Sequence, residues 1–422
     1  MEFWNGRAAR AADIRLYIPS LGWQSSDDTH PKNSSDQTTA SAGRQVESIL
    51  LNVLNSTNLV VLTGTGSSFA ASNGPGKPTP AGMRDVWEQV RSDAGTKIFD
   101  GIVNSFGNAR VSNNIEKLLT FCKLYIELQE DVEEIRFKEI SSFIGIAERS
   151  ILKRVNFVDK DTNLDAHGAL IQRVGRRGVR KPRSKLFTTN YDLCFEEAAR
   201  RSRFVLIDGF SHHVEQTYDR SNFGIDIVRR DGGRESPDYI QNVLQFFKLH
   251  GSIDWRRRDG DIFRTMIGEG EPVLIYPRSS KYQESFNSPY LDMLSAFQAT
   301  IREPDTALLV SGFGFNDDHI SSPILSAIES NMSLRLVICD IGFIPSSTLI
   351  LDEFVIGSVP TPKNKFLSNF MRLADTGDAR VHLMNGRFQD LAVAMPDLVG
   401  ETDRERHGQR MRALRETRQG TA

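Results

Sequence analysis

Cysteine is scarce in this chain of 422 residues, which contains only Cys122, Cys194 and Cys339. The three lie far apart in the sequence and form no CxxC pair, so they argue against both a disulfide framework and a four-thiolate zinc site. We predict no metal site elsewhere in the chain. Unpaired thiols fit a reducing compartment, and we expect a cytoplasmic protein.

Long apolar runs and an excess of one charge are also missing. No stretch approaches the roughly 18 uninterrupted apolar residues of a membrane span, and the first residues do not open a signal peptide. The formal net charge of −2 gives no overall attraction to nucleic acid. The basic cluster from Arg173 to Lys185 lacks interleaved aromatic residues, so we interpret it as a solvated loop or partner-facing patch. We therefore expect neither membrane association nor direct sequence-specific nucleic-acid binding.

Short apolar runs that stop at a glycine or a polar turn alternate with helical patterns along the chain. Such runs are typical of strands buried on both faces of a parallel sheet. They are found at residues 58–63, 185–188, 307–310 and 334–339, with a further candidate at 245–249. The alternation predicts an α/β fold with a doubly wound, Rossmann-like parallel sheet.

Residues 83–183 differ from the rest because their apolar residues recur at three- and four-residue spacing. This pattern predicts a helical insertion subdomain within a catalytic domain that spans residues 46–400. Residues 1–45 are assigned to an N-terminal segment and flexible linker, and residues 401–422 to a charged C-terminal tail. The N-terminal segment contains an apolar cluster around Trp23, which we expect to dock on the body or on another subunit.

Polar motifs follow four of the predicted strands. They read Gly64-Thr65-Gly66-Ser67-Ser68, Thr188-Thr189-Asn190-Tyr191-Asp192, Lys248-Leu249-His250-Gly251-Ser252-Ile253-Asp254-Trp255 and Ser311-Gly312-Phe313-Gly314-Phe315-Asn316-Asp317-Asp318-His319. In doubly wound sheets the carboxyl ends of the strands carry the ligand, and glycines there let backbone N–H groups approach phosphate. Each motif alone also has a structural interpretation, as a glycine turn or a helix cap.

In this order, the four motifs resemble the sirtuin superfamily and, within it, the bacterial branch of sirtuin-like NAD hydrolases found in antiphage defence. The similarity runs from Asn58 to about Asp340, and the proline-containing stretch from Gly76 to Trp87 resembles the cofactor-binding loop of that branch. The resemblance implies that NAD is the substrate.

The resemblance also implies which residues bind NAD. The diphosphate is expected to lie along Gly64, Thr65, Gly66 and Ser67. The adenosine side is expected near Ser311 and Gly312, and the adenine ribose near Asp340.

Three further residues receive catalytic roles from the resemblance. Asn190 is expected to position a water beside the nicotinamide ribose, and Asp192 to contact the nicotinamide carboxamide. His250 is expected to act on the ribose hydroxyl groups or on that water, since an ordinary histidine pKa of about 6.5 suits proton transfer near neutral pH. His319 is expected only to follow a helix cap, so its replacement is predicted to change activity little.

These residue types suit cleavage of the nicotinamide–ribose bond, which passes through an oxocarbenium-like cation. Protein-deacylating sirtuins usually carry two CxxC pairs, which this chain lacks. We therefore expect water to be the acceptor and the protein to be an NAD glycohydrolase that depletes NAD as an antiphage effector. An NAD-dependent deacylase or ADP-ribosyltransferase, and a non-catalytic nucleotide-binding assembly subunit, remain as alternatives.

The resemblance also implies assembly with other subunits. We expect a homo-oligomer and a separate partner protein, with a HerA-type ring ATPase or a short Argonaute as the leading candidates. The chain contains no GxxxxGK[ST] motif, so any ATPase is a separate protein.

Overall fold

The computed structural model describes residues 14–19, 21–25, 42–111, 113–129, 134–178, 181–230, 238–265, 270–274, 288–344 and 361–397. The predicted C-terminal tail and most of the predicted N-terminal linker lie outside these ranges.

The secondary structure alternates between strands and helices along most of the chain. The strands are β1 (Arg15–Ile18), β2 (Gly22–Ser25), β3 (Asn58–Thr63), β4 (Lys185–Thr188), β5 (Val205–Ile207), β6 (Gln216–Thr217), β7 (Val228–Arg229), β8 (Asp238–Tyr239), β9 (Val243–Lys248), β10 (Gly251–Arg258), β11 (Asp261–Arg264), β12 (Glu271–Leu274), β13 (Thr306–Ser311), β14 (Arg335–Cys339) and β15 (Val381–Asn385). The helices are α1 (Ala42–Asn55), α2 (Thr65–Ser68), α3 (Met83–Ala94), α4 (Thr96–Phe106), α5 (Asn108–Val111), α6 (Ile115–Leu128), α7 (Ile135–Val155), α8 (Asp165–Gly175), α9 (Cys194–Arg201), α10 (Tyr290–Thr300), α11 (Asp318–Ser330), α12 (Lys365–Asp375) and α13 (Phe388–Ala394), with short 3-10 helices at Arg220–Gly224 and Ile341–Phe343.

The central sheet has nine strands in the order β2-β1-β15-β14-β13-β3-β4-β9-β5. Every neighbouring pair from β15 to β5 is parallel, and β1 adds to β15 in the antiparallel direction. The five strands predicted from apolar runs are β3, β4, β9, β13 and β14. They are neighbours in the sheet, although their order there differs from their order in the sequence. The predicted α/β, Rossmann-like class is therefore confirmed.

Apolar layers cover both faces of this sheet. In β3, Leu59 and Val61 join one hydrophobic cluster, whereas Val60 and Leu62 join the cluster on the opposite face. Because side chains alternate along a strand, a strand covered on both sides must be apolar at every position. This is the physical origin of the uninterrupted run that predicted the strand.

The segment between α2 and β4 is helical, and most of it has a core of its own. Helices α3 to α7 bury an apolar cluster that includes Val90, Phe99, Leu118 and Phe143. Helix α8 differs, because its apolar residues pack in one of the two clusters that cover the sheet. The part of the insertion with a separate core therefore ends with α7.

The N-terminal apolar cluster docks on the body of the protein. Strands β1 and β2 form an antiparallel hairpin at the edge of the sheet. The Trp23 ring is buried there and lies 5.4 Å from the Phe343 ring, centroid to centroid. Burial of this indole stabilises the hairpin at the edge of the sheet.

The interpretation of the basic cluster as a solvated or partner-facing patch was wrong at two positions. Arg173 and Arg177 are buried. Arg173 donates to the carbonyl oxygen of Ala392 at 3.1 Å, and Arg177 donates to those of Ser56 and Thr57. A guanidinium group offers five N–H donors, so it can satisfy carbonyl groups where chain segments end inside the fold.

Candidate active site

Two glycine loops meet where the sheet changes its direction of winding. Strands β3 and β13 are neighbours, and the strands that follow each of them lie on opposite sides. Gly66 N–H donates to the Gly312 carbonyl oxygen at 2.8 Å, and a Cβ on Gly66 would lie 2.6 Å from the Gly312 Cα. Only glycine allows such an approach, and Gly312 also has a φ of +69°. Ligands of doubly wound sheets bind at such switch points, so the predicted diphosphate and adenosine loops lie at the expected edge.

Two backbone amides of the first loop already donate hydrogen bonds to carbonyl oxygens of the protein. Besides the Gly66 N–H, the Ser67 N–H is bonded, to the Gly64 carbonyl oxygen at 2.8 Å. Thr65 is exposed and lines the cleft described below. Thr65 is therefore the residue of this loop best placed to meet a ligand, and the diphosphate role of the other three remains a prediction.

Asn190, just after β4, is held by three acceptors on the first loop. Its Nδ2 donates at 2.9 Å to the Gly64 carbonyl oxygen, to Ser67 Oγ and to Ser68 Oγ. The side chain is almost completely buried. Because Nδ2 is fixed by the loop, the side-chain oxygen is the end that a water or a ribose hydroxyl can meet.

Asp192 bonds through both of its carboxylate oxygens. Oδ2 accepts a short hydrogen bond from Ser68 Oγ, and Oδ1 accepts the Cys194 N–H at 3.0 Å, at the start of α9. The residue thus links the first loop to the start of α9 and also lines the cleft. Both interpretations of this aspartate, helix start and site residue, are compatible with its position.

Lys248, the last residue of β9, anchors the same region from behind and was missed by the sequence analysis. It is only 1% exposed. Its Nζ donates to the Asp192 carbonyl oxygen at 2.6 Å, to Glu196 Oε1 at 2.7 Å and to Ser252 Oγ at 2.8 Å. Burial raises the pKa of Glu196 to about 7, against the opposing charge of Lys248. A lysine at the end of an apolar strand was the signal that could have identified this anchor.

His250 faces a second histidine. Its Nε2 lies 3.0 Å from Nε2 of His319, and the ring centroids are 5.2 Å apart. His250 follows β9, whereas His319 lies in the first turn of α11. The expectation that His319 only follows a helix cap was therefore incomplete, because the fold brings this ring against His250.

Both histidines resist protonation. Burial lowers the pKa of His250 to about 3. Burial also lowers the pKa of His319 to about 4, helped by His250 and opposed by the charges of Asp317 and Asp318. The ordinary histidine pKa used in the sequence argument does not apply here, because the charged ring loses its solvation in this site.

A cleft of about 780 Å³ lies between the sheet and the helical insertion. Of the predicted residues, Thr65, Asn190, Asp192 and His250 line it. Ser68 of the first loop lines it as well, whereas Gly64, Gly66, Ser67, Ser311 and Gly312 do not line it and lie at the switch point. The structure thus places the predicted catalytic residues around the cleft, in a volume typical of small-molecule sites.

Helix α6 of the insertion contributes Glu116 to the same cleft. Tyr191 donates from its hydroxyl group to Glu116 Oε1 at 3.3 Å. Burial raises the pKa of Glu116 to about 8, and the nearby charge of Asp317 raises it further in the same direction. At neutral pH this carboxyl group is therefore protonated and can donate a hydrogen bond.

Asp340 lies apart from the cleft lining, at the end of β14. Its carboxylate oxygens accept the Gly342 N–H at 2.7 Å and the Gly314 N–H at 3.2 Å. Burial raises the pKa of this carboxyl group. Asp340 therefore fixes the loop after Gly312, and its contact with an adenine ribose remains a prediction.

The described ranges contain neither a metal-ion cluster nor a helix that could span a membrane. Within them, no cluster of three or more histidine, cysteine, aspartate or glutamate side chains is placed to hold a metal ion. No helix in the same part of the chain has the length and apolar character needed to cross a membrane.

Comparison with known protein families identifies part of this chain. Residues 184–338 match the family model of the SIR2-like domain. The match runs from β4 to β14 and includes the loops that carry Asn190, His250 and His319. No curated protein matches the chain. SIR2-like domains use NAD, and the match supports a place in the sirtuin-like superfamily.

Proposed function

We propose that this protein is an NAD glycohydrolase, which cleaves the nicotinamide–ribose bond with water and releases nicotinamide and ADP-ribose. The convergence of Asn190 and His250 on one cleft, beside the two glycine loops of the switch point, is the observation that supports the proposal most strongly. The match to the SIR2-like domain supports an activity that uses NAD.

The low pKa of the two histidines supports this chemistry. The nicotinamide ring of NAD is cationic, and positive charge develops on the ribose as the ring departs. A protonated histidine would repel that charge, whereas neutral imidazole rings do not. The product of water attack on such a cation is a strong acid, so a weakly basic histidine is sufficient to accept its proton.

Water as the acceptor is supported by the composition of the cleft. The insertion forms the wall opposite the sheet, and it brings the protonated carboxyl of Glu116 close to Tyr191. The three cysteines are all buried and separate from one another. This wall differs from the zinc module with two CxxC pairs that protein-deacylating sirtuins usually carry.

At the level of the cell, the proposal follows the resemblance to the antiphage branch. The protein is proposed to deplete NAD as a cytoplasmic effector, as a homo-oligomer that works with a separate partner such as a HerA-type ring ATPase or a short Argonaute. An unrestrained NAD hydrolase would drain its host, so the isolated subunit is expected to have low activity until a partner or trigger is present.

The experiment that tests the activity is product analysis with the purified protein, alone and with its partner. Equal amounts of nicotinamide and free ADP-ribose are the expected products. ADP-ribose attached to protein, or an acyl-ADP-ribose formed only with an acyl-lysine peptide, would replace hydrolysis with transfer. NAD binding without turnover under all conditions would leave a nucleotide-binding assembly subunit.

A further inference from the structure

We propose that His250 acts as one half of a histidine pair, in which His319 is a positioning residue that fixes the tautomer of His250 and stores the proton that His250 receives. The inference rests on the proposed hydrolysis of NAD. The inference goes beyond that proposal by assigning a function to His319, which the sequence motif indicated only as part of a helix start.

The Nε2–Nε2 distance of 3.0 Å carries the argument. A hydrogen bond between two imidazole rings needs one ring with a proton on Nε2 and one ring with a bare Nε2. Two neutral rings at this distance therefore hold opposite tautomers. Since Nε2 of His250 contacts His319, Nδ1 is the atom of His250 left for the reaction. Nδ1 can accept a proton only when the proton of the neutral His250 ring is on Nε2, so His250 must be the hydrogen-bond donor of the pair.

The surroundings of the pair favour a proton on His319 over one on His250. The charges of Asp317 and Asp318 both raise the pKa of His319, whereas burial is the sole cause that acts on His250. Asp318 is itself paired with Lys365 at 2.9 Å, and Asp317 is the more buried of the two carboxylates. When His250 accepts a proton and passes its Nε2 proton to His319, the positive charge therefore moves toward the carboxylates.

The step can be written with each bond accounted for. The bond between C1′ and the nicotinamide nitrogen breaks, and its electron pair leaves with the neutral nicotinamide. The water oxygen forms a bond to C1′, and its proton passes to Nδ1 of His250. The Nε2 proton of His250 then passes to Nε2 of His319, which becomes an imidazolium ion beside Asp317. When Nδ1 of His250 releases its proton to solvent, His319 returns the stored proton to Nε2 of His250, and the starting tautomers are restored.

Replacement of His319 by alanine or glutamine separates positioning from proton storage. His319→Ala is expected to lower kcat by about 100-fold, within the range of general acid–base contributions, with little change in KM. His319→Gln keeps an acceptor for the His250 Nε2–H but cannot take up a proton, so it is expected to recover about tenfold of that loss. His382→Gln, at a half-buried histidine on β15, is the matched control and is expected to behave like the unmodified protein.

Several outcomes would overturn the proposal. They are a kcat for His319→Ala equal to that of the control, an effect on KM alone, and a double variant His250→Ala/His319→Ala that is much slower than His250→Ala. The last would show that the two rings act independently. Loss of activity with a chelator would assign the pair to a metal ion instead.

Nuclear magnetic resonance of nitrogen-15-labelled histidine tests the pair without any turnover. At pH 7, His250 and His319 are expected as opposite neutral tautomers, assigned by comparison with His250→Gln and His319→Gln. The same tautomer in both rings, or a charged ring, would refute the pair even in an active enzyme. Opposite tautomers in a protein that does not hydrolyse NAD would instead confirm the histidine pair and contradict the proposed function.

Discussion

The two walls of the cleft are built in different ways. On the sheet side, the amide of Asn190 is fixed by three hydrogen bonds, and Asp192 is bonded through both carboxylate oxygens. On the insertion side, Glu116 accepts a hydrogen bond of 3.3 Å from Tyr191 across the cleft. The comparison indicates that the sheet fixes the side chains of the proposed site and that the insertion encloses them.

The packing of the two regions leads to the same conclusion. The insertion buries a cluster of its own, to which the body contributes Leu274 and, in part, Tyr191. The sheet wall instead depends on the buried Lys248, which holds the main-chain oxygen of Asp192 after β4 and side-chain oxygens of α9 and β10. Changes on the sheet side are therefore expected to have larger effects on catalysis than changes on the insertion side.

The largest effects are expected at Asn190 and His250. Asn190→Ala and His250→Ala should each lower kcat for NAD hydrolysis by about 100-fold or more, because one removes a positioned contact and the other a proton acceptor. The measurement is nicotinamide release by variants whose melting temperature is unchanged. Near-normal turnover in both would contradict the assignment of the sheet wall as the reacting side.

Lys248→Met is expected to act first on stability. It leaves the carboxyl group of Glu196 buried without its cation, and such a loss typically costs about 3–5 kcal/mol. The free energy of unfolding, measured with urea, gives the effect. The double variant Lys248→Met/Glu196→Gln is the control and should recover much of the loss, whereas equal destabilisation of the two variants would show that the ion pair is not the anchor.

Ser68→Ala should have an intermediate effect. The hydroxyl group of Ser68 links Asn190 to the carboxylate of Asp192, and a hydrogen bond to a charged group contributes about 1.5–3 kcal/mol. A decrease of about tenfold or more in kcat is expected, with the same NAD affinity. A rise in KM at constant kcat would place this serine in NAD binding rather than in positioning.

The smallest effect is expected at Glu116 on the insertion, and it should depend on pH. Because the pKa of Glu116 is raised to about 8, its carboxyl group is neutral below that pH and ionises above it, where its charge adds to that of Asp317. Glu116→Gln should lie within about threefold of the unmodified protein at pH 7, the effect of one exchanged hydrogen bond. Above pH 8 the unmodified protein should become faster than Glu116→Gln, because the ionised carboxylate then faces the positive charge that develops on the ribose. Identical profiles of kcat/KM between pH 6 and 10 would remove Glu116 from the site.

The strands at the centre of the sheet could be predicted from the sequence, and the reason is physical. Burial on both faces forces a run such as Leu59 to Leu62 to be apolar without interruption. The polar motifs after these runs then had to meet at one edge. Strand β15 was missed, because Val381–Asn385 contains His382 and Asn385 and does not read as such a run.

The tertiary structure decided which side chains meet and how they titrate. His250 and His319 are 69 residues apart, and Glu116 and Tyr191 are 75 apart, so no local pattern places either pair in contact. The sequence by itself determined the fold class, the strand ends and the residue types available there. The low pKa of the histidines and the raised pKa of Glu116 depend on the solvent that each group loses, and that loss is set only when distant segments pack together.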